Sequence, residues 1–257
     1  MTERAAAEAD AIEKELSTGV SPERAAGSKA YLKLNLTFTG ASVPQARAAV
    51  TAWRKSQPAL DRAHLLAVVA RLWERPVFEC RLAALLILTD RRALLEAQDL
   101  PRVEQLLRES GTWALVDSMA ADVAGSLVAR FPELYGTLDR WATDEDFWIR
   151  RSALLALLVP LRRGDTAEFG RFGRYADAML GEREFFIRKA IGWVLRETAK
   201  KHPDLVTGWL RPRAHRASGV TMREAVKYLP PADRDALMAR YRAPASAPDP
   251  GTTSPDS

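Results

Sequence analysis

The chain repeats itself at one period. Phe147-Trp148-Ile149-Arg150-Arg151-Ser152-Ala153 is echoed 38 residues later by Phe185-Phe186-Ile187-Arg188-Lys189-Ala190-Ile191. Arg81-Leu82-Ala83-Ala84-Leu85-Leu86 is echoed 69 residues later, and Arg130-Phe131-Pro132-Glu133-Leu134 is echoed 71 residues later by Lys201-His202-Pro203-Asp204-Leu205. A unit of 34–38 residues, doubled in the last two cases, accounts for all three echoes. That length holds two antiparallel helices and two turns. A unit so small cannot bury its apolar side alone and must stack on its neighbours. The expected fold is therefore all-α: an α-solenoid of HEAT-like (ARM/HEAT) helical repeats, superhelical with a basic concave face.

Helical periodicity runs along most of the chain, and strand-like alternation is nearly absent. Helices are expected over 22–33, 43–55, 60–74, 76–89, 100–109, 113–130, 132–142, 145–161, 167–181, 184–201, 204–210, 219–228 and 231–242. Prolines stand near several starts (Pro44, Pro76, Pro101, Pro132, Pro203), where a missing N–H does no harm. Residues 1–20 read as an N-terminal arm, a frayed helix or disordered. Residues 21–242 read as one repeat domain, and the Pro/Ser/Thr-rich 243–257 as a disordered tail.

Composition removes several function classes. Hydrophobic residues make up 47%, enough for a sizeable core. No apolar run reaches the roughly 20 residues of a membrane span, and the polar start lacks the core of a signal peptide. A cytoplasmic, nucleoid-associated protein is expected. One cysteine (Cys80) and three scattered histidines (His64, His202, His215) build no metal cluster, so neither metal nor cofactor is expected. Charge is uneven: residues 148–227 hold 17 Lys/Arg against 8 Asp/Glu, the rest 21 against 25. Such bias is either a solvated face or the footprint of a polyanion.

The period also aligns polar residues. Lys189, Arg151 and Asp117 lie at successive steps of 38 and 34 residues. Trp113 precedes Asp117 by four, Trp148 precedes Arg151 by three, and Trp193 follows Lys189 by four, so each tryptophan shares a helix face with a charge. In 184–201, Ile187, Ile191, Val194, Leu195 and Thr198 form a core stripe, while Lys189, Trp193, Arg196 and Lys200 form a second, basic one. A tryptophan among cations suits a phosphate backbone with a sugar or base; an exposed helix with one half-buried indole is the plain alternative. Asp117 sits among Leu115, Val116, Met119, Ala120, Val123 and Ala124. It is either a structural acid bound to backbone or to an arginine, or a site residue beside an aromatic wall.

These residues resemble the AlkD-type DNA alkylation repair glycosylases of the HEAT-like repeat class, over roughly residues 28–228. The resemblance is carried by Tyr31-Leu32-Lys33 through Phe38-Thr39-Gly40 and Pro44, by Trp113-Ala114-Leu115-Val116-Asp117-Ser118, by Phe147 to Ala153, and by Glu184 to Glu197. It implies Asp117 as catalytic carboxylate, with Trp113 and Trp193 as the aromatic cleft. It implies Arg151 as a phosphate contact and Tyr31 and Arg196 as further residues facing DNA; the repeat register adds Trp148 and Lys189 to the expected DNA-binding set. The implied activity is that of a monofunctional glycosylase on cationic purines such as N3-methyladenine and N7-methylguanine, or bulkier N3/N7 adducts, without base flipping. The implied partner is double-stranded DNA carrying alkylated purines, with no membrane partner, and the protein is expected to be a monomer. No lysine is placed for a lyase step. The chain departs from the family pattern at Ser42, Thr112 and Ala114, which bears on duplex grip and lesion preference. Two other readings remain: a catalytically silent HEAT-repeat DNA-binding protein, and a protein-interaction scaffold.

Overall fold

Helix starts recur at the repeat period. The computed structural model describes residues 2–164 and 166–243, in two compact units divided between Arg163 and Gly164. The first unit holds α1 (Thr2–Leu16), α2 (Pro22–Leu32), α3 (Val43–Lys55), α4 (Arg62–Trp73), α5 (Phe78–Arg91), α6 (Leu100–Ser110), α7 (Trp113–Ser118), α8 (Gly125–Arg130), α9 (Tyr135–Trp141), α10 (Phe147–Ala156) and α11 (Leu158–Arg163). The second holds α12 (Ala167–Met179), α13 (Phe185–Ala199), α14 (Pro203–Leu210), α15 (Gly219–Ala225) and α16 (Pro231–Arg242). N-cap residues of α3, α5, α7, α10, α13 and α15 are Ser42, Val77, Thr112, Asp146, Glu184 and Ser218, at steps of 35, 35, 34, 38 and 34 residues. All but Val77 accept a backbone N–H of the first turn with their side chain, the preferred way to satisfy the free donors there. The fold is all-α helical repeat. Among the described residues the sole extended pairing is an isolated bridge between Thr37 and Val77. No helix there is long and apolar enough to cross a membrane.

Within the first unit, α4 packs on α5, α3 on α5, α5 on α7, and α10 on the helix that contains α7. Within the second, α13 packs on α15 and α14. Gly192 of α13 makes the approach to α15 possible: a Cβ there would lie 2.9 Å from the Thr221 carbonyl oxygen of α15. Ile187, Ile191, Val194, Leu195 and Thr198 are all buried, so the core stripe of α13 is as the spacing predicts.

Two expectations are corrected. The N-terminal arm is not frayed. Ala5, Ala9, Ile12 and Leu16 of α1 are buried against α3, α4 and α5. Glu8 accepts from Trp53 Nε1 (2.7 Å) and lies 3.0 Å from His64 Nε2, while Arg75 pairs with Asp10 and Glu13. The buried stripe is half alanine, so it carries little hydrophobic signal in the sequence. The single helix expected over 145–161 breaks at Leu157, between α10 and α11. Pro160 has no N–H to give the Ala156 carbonyl, and its ring crowds that turn. The repeat domain expected over 21–242 spans the two compact units. Of the expected tail, residues 244–257 lie outside the described residues.

A carboxylate hub ties α6 to α9. Glu104 accepts from Arg140 (2.7 Å), Arg108 (2.7 Å) and Trp141 Nε1 (2.8 Å). The Arg140 guanidinium, helped by Trp141 and Arg108 against the opposing effect of burial, holds its carboxyl down to about 2, from an ordinary 4.5. A depressed carboxyl stabilises the fold fully above its unfolded value and loses that contribution as pH falls through the folded one. Urea midpoints should therefore drop as pH is lowered from about 4.5 toward 2, and Glu104→Gln should flatten that dependence. An unchanged acid limb in the variant would assign the acid sensitivity elsewhere.

Candidate active site and nucleic-acid interface

The residue five places after each repeat N-cap occupies an equivalent position: Arg47, Leu82, Asp117, Arg151, Lys189 and Arg223. The environments differ. Arg47, Lys189 and Arg223 are exposed and have no ion pair among the described residues. Leu82 is buried. Asp117 and Arg151 bind each other: Arg151 Nε donates to Asp117 Oδ1 and Nη2 donates to Oδ2, both at 2.8 Å. The arginine side chain is 2% exposed and the aspartate 20%. Asp117 is thus bound to an arginine and still 20% exposed, a geometry open to both a structural and a site role.

The backbone around Asp117 is unusual. Thr112 caps α7 through a 3.4 Å contact to the Ala114 N–H, which is why a buried threonine stands before Trp113. Beyond Ser118 the helix widens into a π segment, Met119–Ala124, before resuming as α8. Such π turns are rare and often lie at functional sites. The expected helix over 113–130 is present with this bulge inside it.

Aromatic groups stand beside the pair. Trp113 is 38% exposed, and Tyr31, 71% exposed, meets it edge-on with ring centroids 6.4 Å apart. Trp113 also forms one wall of a cleft of ≈ 460 Å³ bordered by Arg47, Phe78, Leu82, Ser118 and Asp122. Asp122 was not singled out by sequence. It is half-buried, faces the cleft and has no hydrogen bond or ion pair among the described residues. It follows Ala114 and Ser118, which also border the cleft, at successive steps of four residues, the spacing of one helix face. Trp148 is half-buried against Phe147, with centroids 4.6 Å apart. Ser42 is occupied as the N-cap of α3, in a reciprocal capping box with Gln45.

In the second unit, Trp193 is half-buried on α13 and Lys189 lies 5.8 Å from the Phe185 ring. The rest of the basic stripe is engaged within the protein. Arg196 pairs with Glu224 and Glu197, and Lys200 with Glu197 at 2.9 Å and over the Tyr228 ring at 5.0 Å. The structure thus groups Tyr31, Trp113, Asp117 and Arg151 in the first unit, and Lys189, Trp193 and Arg196 in the second. Arg47 and Arg223 hold the same repeat position but lie beyond the two steps that align Lys189, Arg151 and Asp117.

A helical-repeat protein with an arginine-clamped carboxylate one turn from a half-exposed tryptophan defines a class, and comparison with known proteins names it. The family model described as DNA alkylation repair enzyme matches residues 12–229. The chain belongs to that family. A solved structure described as a predicted DNA alkylation repair enzyme from Enterococcus faecalis is 24% identical, with TM-score 0.72, over 82% of this chain and 97% of that one. AlkD2 from Streptococcus mutans is 15% identical, with TM-score 0.56, over 80% of this chain and 98% of that one. The smu.31 protein of Streptococcus mutans UA159 is also 15% identical, with TM-score 0.56, over 73% and 93%. At these identities the structures share the fold alone. No curated protein matches the chain significantly.

Proposed function

We propose that the protein is a monofunctional DNA glycosylase that hydrolyses the N-glycosidic bond of cationic alkylated purines, N3-methyladenine and N7-methylguanine or bulkier N3/N7 adducts, without flipping the base. The observation that carries this reading is Asp117: a carboxylate held in a fixed plane, partly open to solvent, on the helix face of a half-exposed tryptophan. Alkylation at N3 or N7 makes the base a cationic leaving group, so no strong general acid is needed. As the bond to C1′ breaks, the sugar becomes oxocarbenium-like, as in glycoside hydrolysis. Asp117 stabilises that cation and orients the attacking water. Trp113 and Trp193 add cation–π attraction, about 0.5–2 kcal/mol each where water is excluded. The protein acts as a monomer at the nucleoid, on duplex DNA.

The test is release of free base from methylated duplex DNA, with the strand left uncut until the abasic site is treated with alkali. Strand cleavage by the protein itself would contradict the monofunctional reading. A second reading, a catalytically silent DNA-binding repeat protein, is favoured by the same ion pair, since a carboxylate tied at both oxygens can serve structure alone. Base retention with salt-sensitive binding would select it.

Grip on the duplex is assigned to the exposed rung cations, Arg47, Lys189 and Arg223, with Tyr31, Trp148 and Arg196 as further DNA-facing residues. Each phosphate contact contributes about −0.9 to the slope of log binding constant against log salt. Arg47→Ala and Arg223→Ala should each weaken binding to any duplex and make that slope shallower by about one. Unchanged slopes would remove these two residues from the interface.

A further inference from the structure

The geometry points to Arg151 as a positioning residue for the Asp117 carboxylate, clamping it from the next repeat, rather than as a contact to DNA phosphate. The inference rests on the reading of Asp117 given above.

Arg151 and Asp117 hold the same place in consecutive repeats, five residues after Asp146 and Thr112. Equivalent cations elsewhere on this ladder, Arg47, Lys189 and Arg223, are exposed. Arg151 is 2% exposed, and the residues after it, Ser152 to Leu155, are fully buried. A guanidinium so enclosed offers its donors inward. Turning it out to a phosphate would break both 2.8 Å bonds to Asp117 and move a side chain that is 2% exposed, which is unfavourable.

The bonds themselves describe a clamp. Two different nitrogens donate to two different oxygens at the same 2.8 Å, the parallel arrangement that fixes both the distance and the plane of a carboxylate. Each oxygen keeps further lone-pair capacity, and the Asp117 side chain remains 20% exposed. Arg151 thus stands behind the carboxylate, which faces the sugar. It transfers no proton and forms no covalent bond. A clamp acts on the rate of the bound complex, because a small misplacement of a reacting group costs much in rate and little in affinity. A phosphate contact acts on affinity and its salt dependence.

The experiment compares Arg151→Met and Arg151→Lys with wild type, using saturating enzyme on a duplex carrying one N7-methylguanine. Base release should slow by about 10²-fold in both variants, since lysine keeps the charge but supplies no rigid fork. Affinity for the duplex should stay within about twofold, and the salt slope should not change. In an Asp117→Asn background, Arg151→Met should add little further loss, because the carboxylate whose placement the clamp serves is already gone. Wild-type release at saturation, with weaker binding and a slope shallower by about one, would overturn the inference and make Arg151 a phosphate contact. Where the methionine variant does not fold, the lysine variant carries the same comparison. A wild-type protein that releases no base would instead overturn the glycosylase reading, an outcome distinct from either.

Discussion

Asp117→Asn is expected to bind duplex DNA as wild type does and to release alkylated base about 10²–10³-fold more slowly. The substitution keeps shape and removes charge. An amide in place of the carboxylate offers no net negative charge to a developing sugar cation, and that interaction strengthens only as the bond breaks, so the loss falls on rate rather than affinity. The amide nitrogen also cannot accept from Arg151, which leaves one of the two 2.8 Å bonds unmade. Melting temperature, read in parallel, separates loss of the clamp from loss of the fold. Wild-type release by Asp117→Asn would remove the residue from the chemistry. Asp122→Asn is the matched control: it changes a second carboxylate in the neighbouring cleft without touching the clamp.

Gly40→Ala should cost the first unit about 4 kcal/mol, a strained backbone plus a forced displacement. Gly40 has φ of +87°, and an added Cβ would lie 2.2 Å from the Ser21 carbonyl oxygen and 3.1 Å from the Ala25 nitrogen, at the start of α2. Neither is a flexible side-chain end, so the loop itself must move. It is pinned: the N–H groups of Thr39 and Gly40 each donate to the buried Glu79 carboxylate at 2.9 Å, and Arg24 donates to the Gly40 carbonyl at 2.8 Å. Moving the loop shifts α2 and with it Tyr31, the ring that meets Trp113. The expected fall in melting temperature is on the order of 10 °C for a unit of this size. A melt superimposable on wild type would show that the loop yields freely.

The repeat was legible because capping residues and apolar spacing are local. Six N-caps at 34–38-residue steps need only the sequence near each helix start. Periodicity placed Asp117, Arg151 and Lys189 in register, but register says which face a side chain leaves from, not what it meets. The burial of Arg151 and its bond to Asp117 depend on packing between α10 and α7, 34 residues apart. The pairing of Arg196 with Glu224 likewise crosses from α13 to α15. The docking of α1 was hidden because Ala5 and Ala9 bury well and signal weakly. Asp122 shares the face of Ala114 and Ser118 by ordinary helical spacing, but the cleft that this face borders is built with residues of distant helices, Arg47 and Phe78 among them.

The most direct test of the account is a time course of free base release by the wild-type protein, in excess over a duplex carrying one N7-methylguanine. The account predicts first-order release of N7-methylguanine well above spontaneous depurination, leaving an intact strand with one abasic site. Retention of the base at the spontaneous rate, on a duplex the protein demonstrably binds, would contradict it.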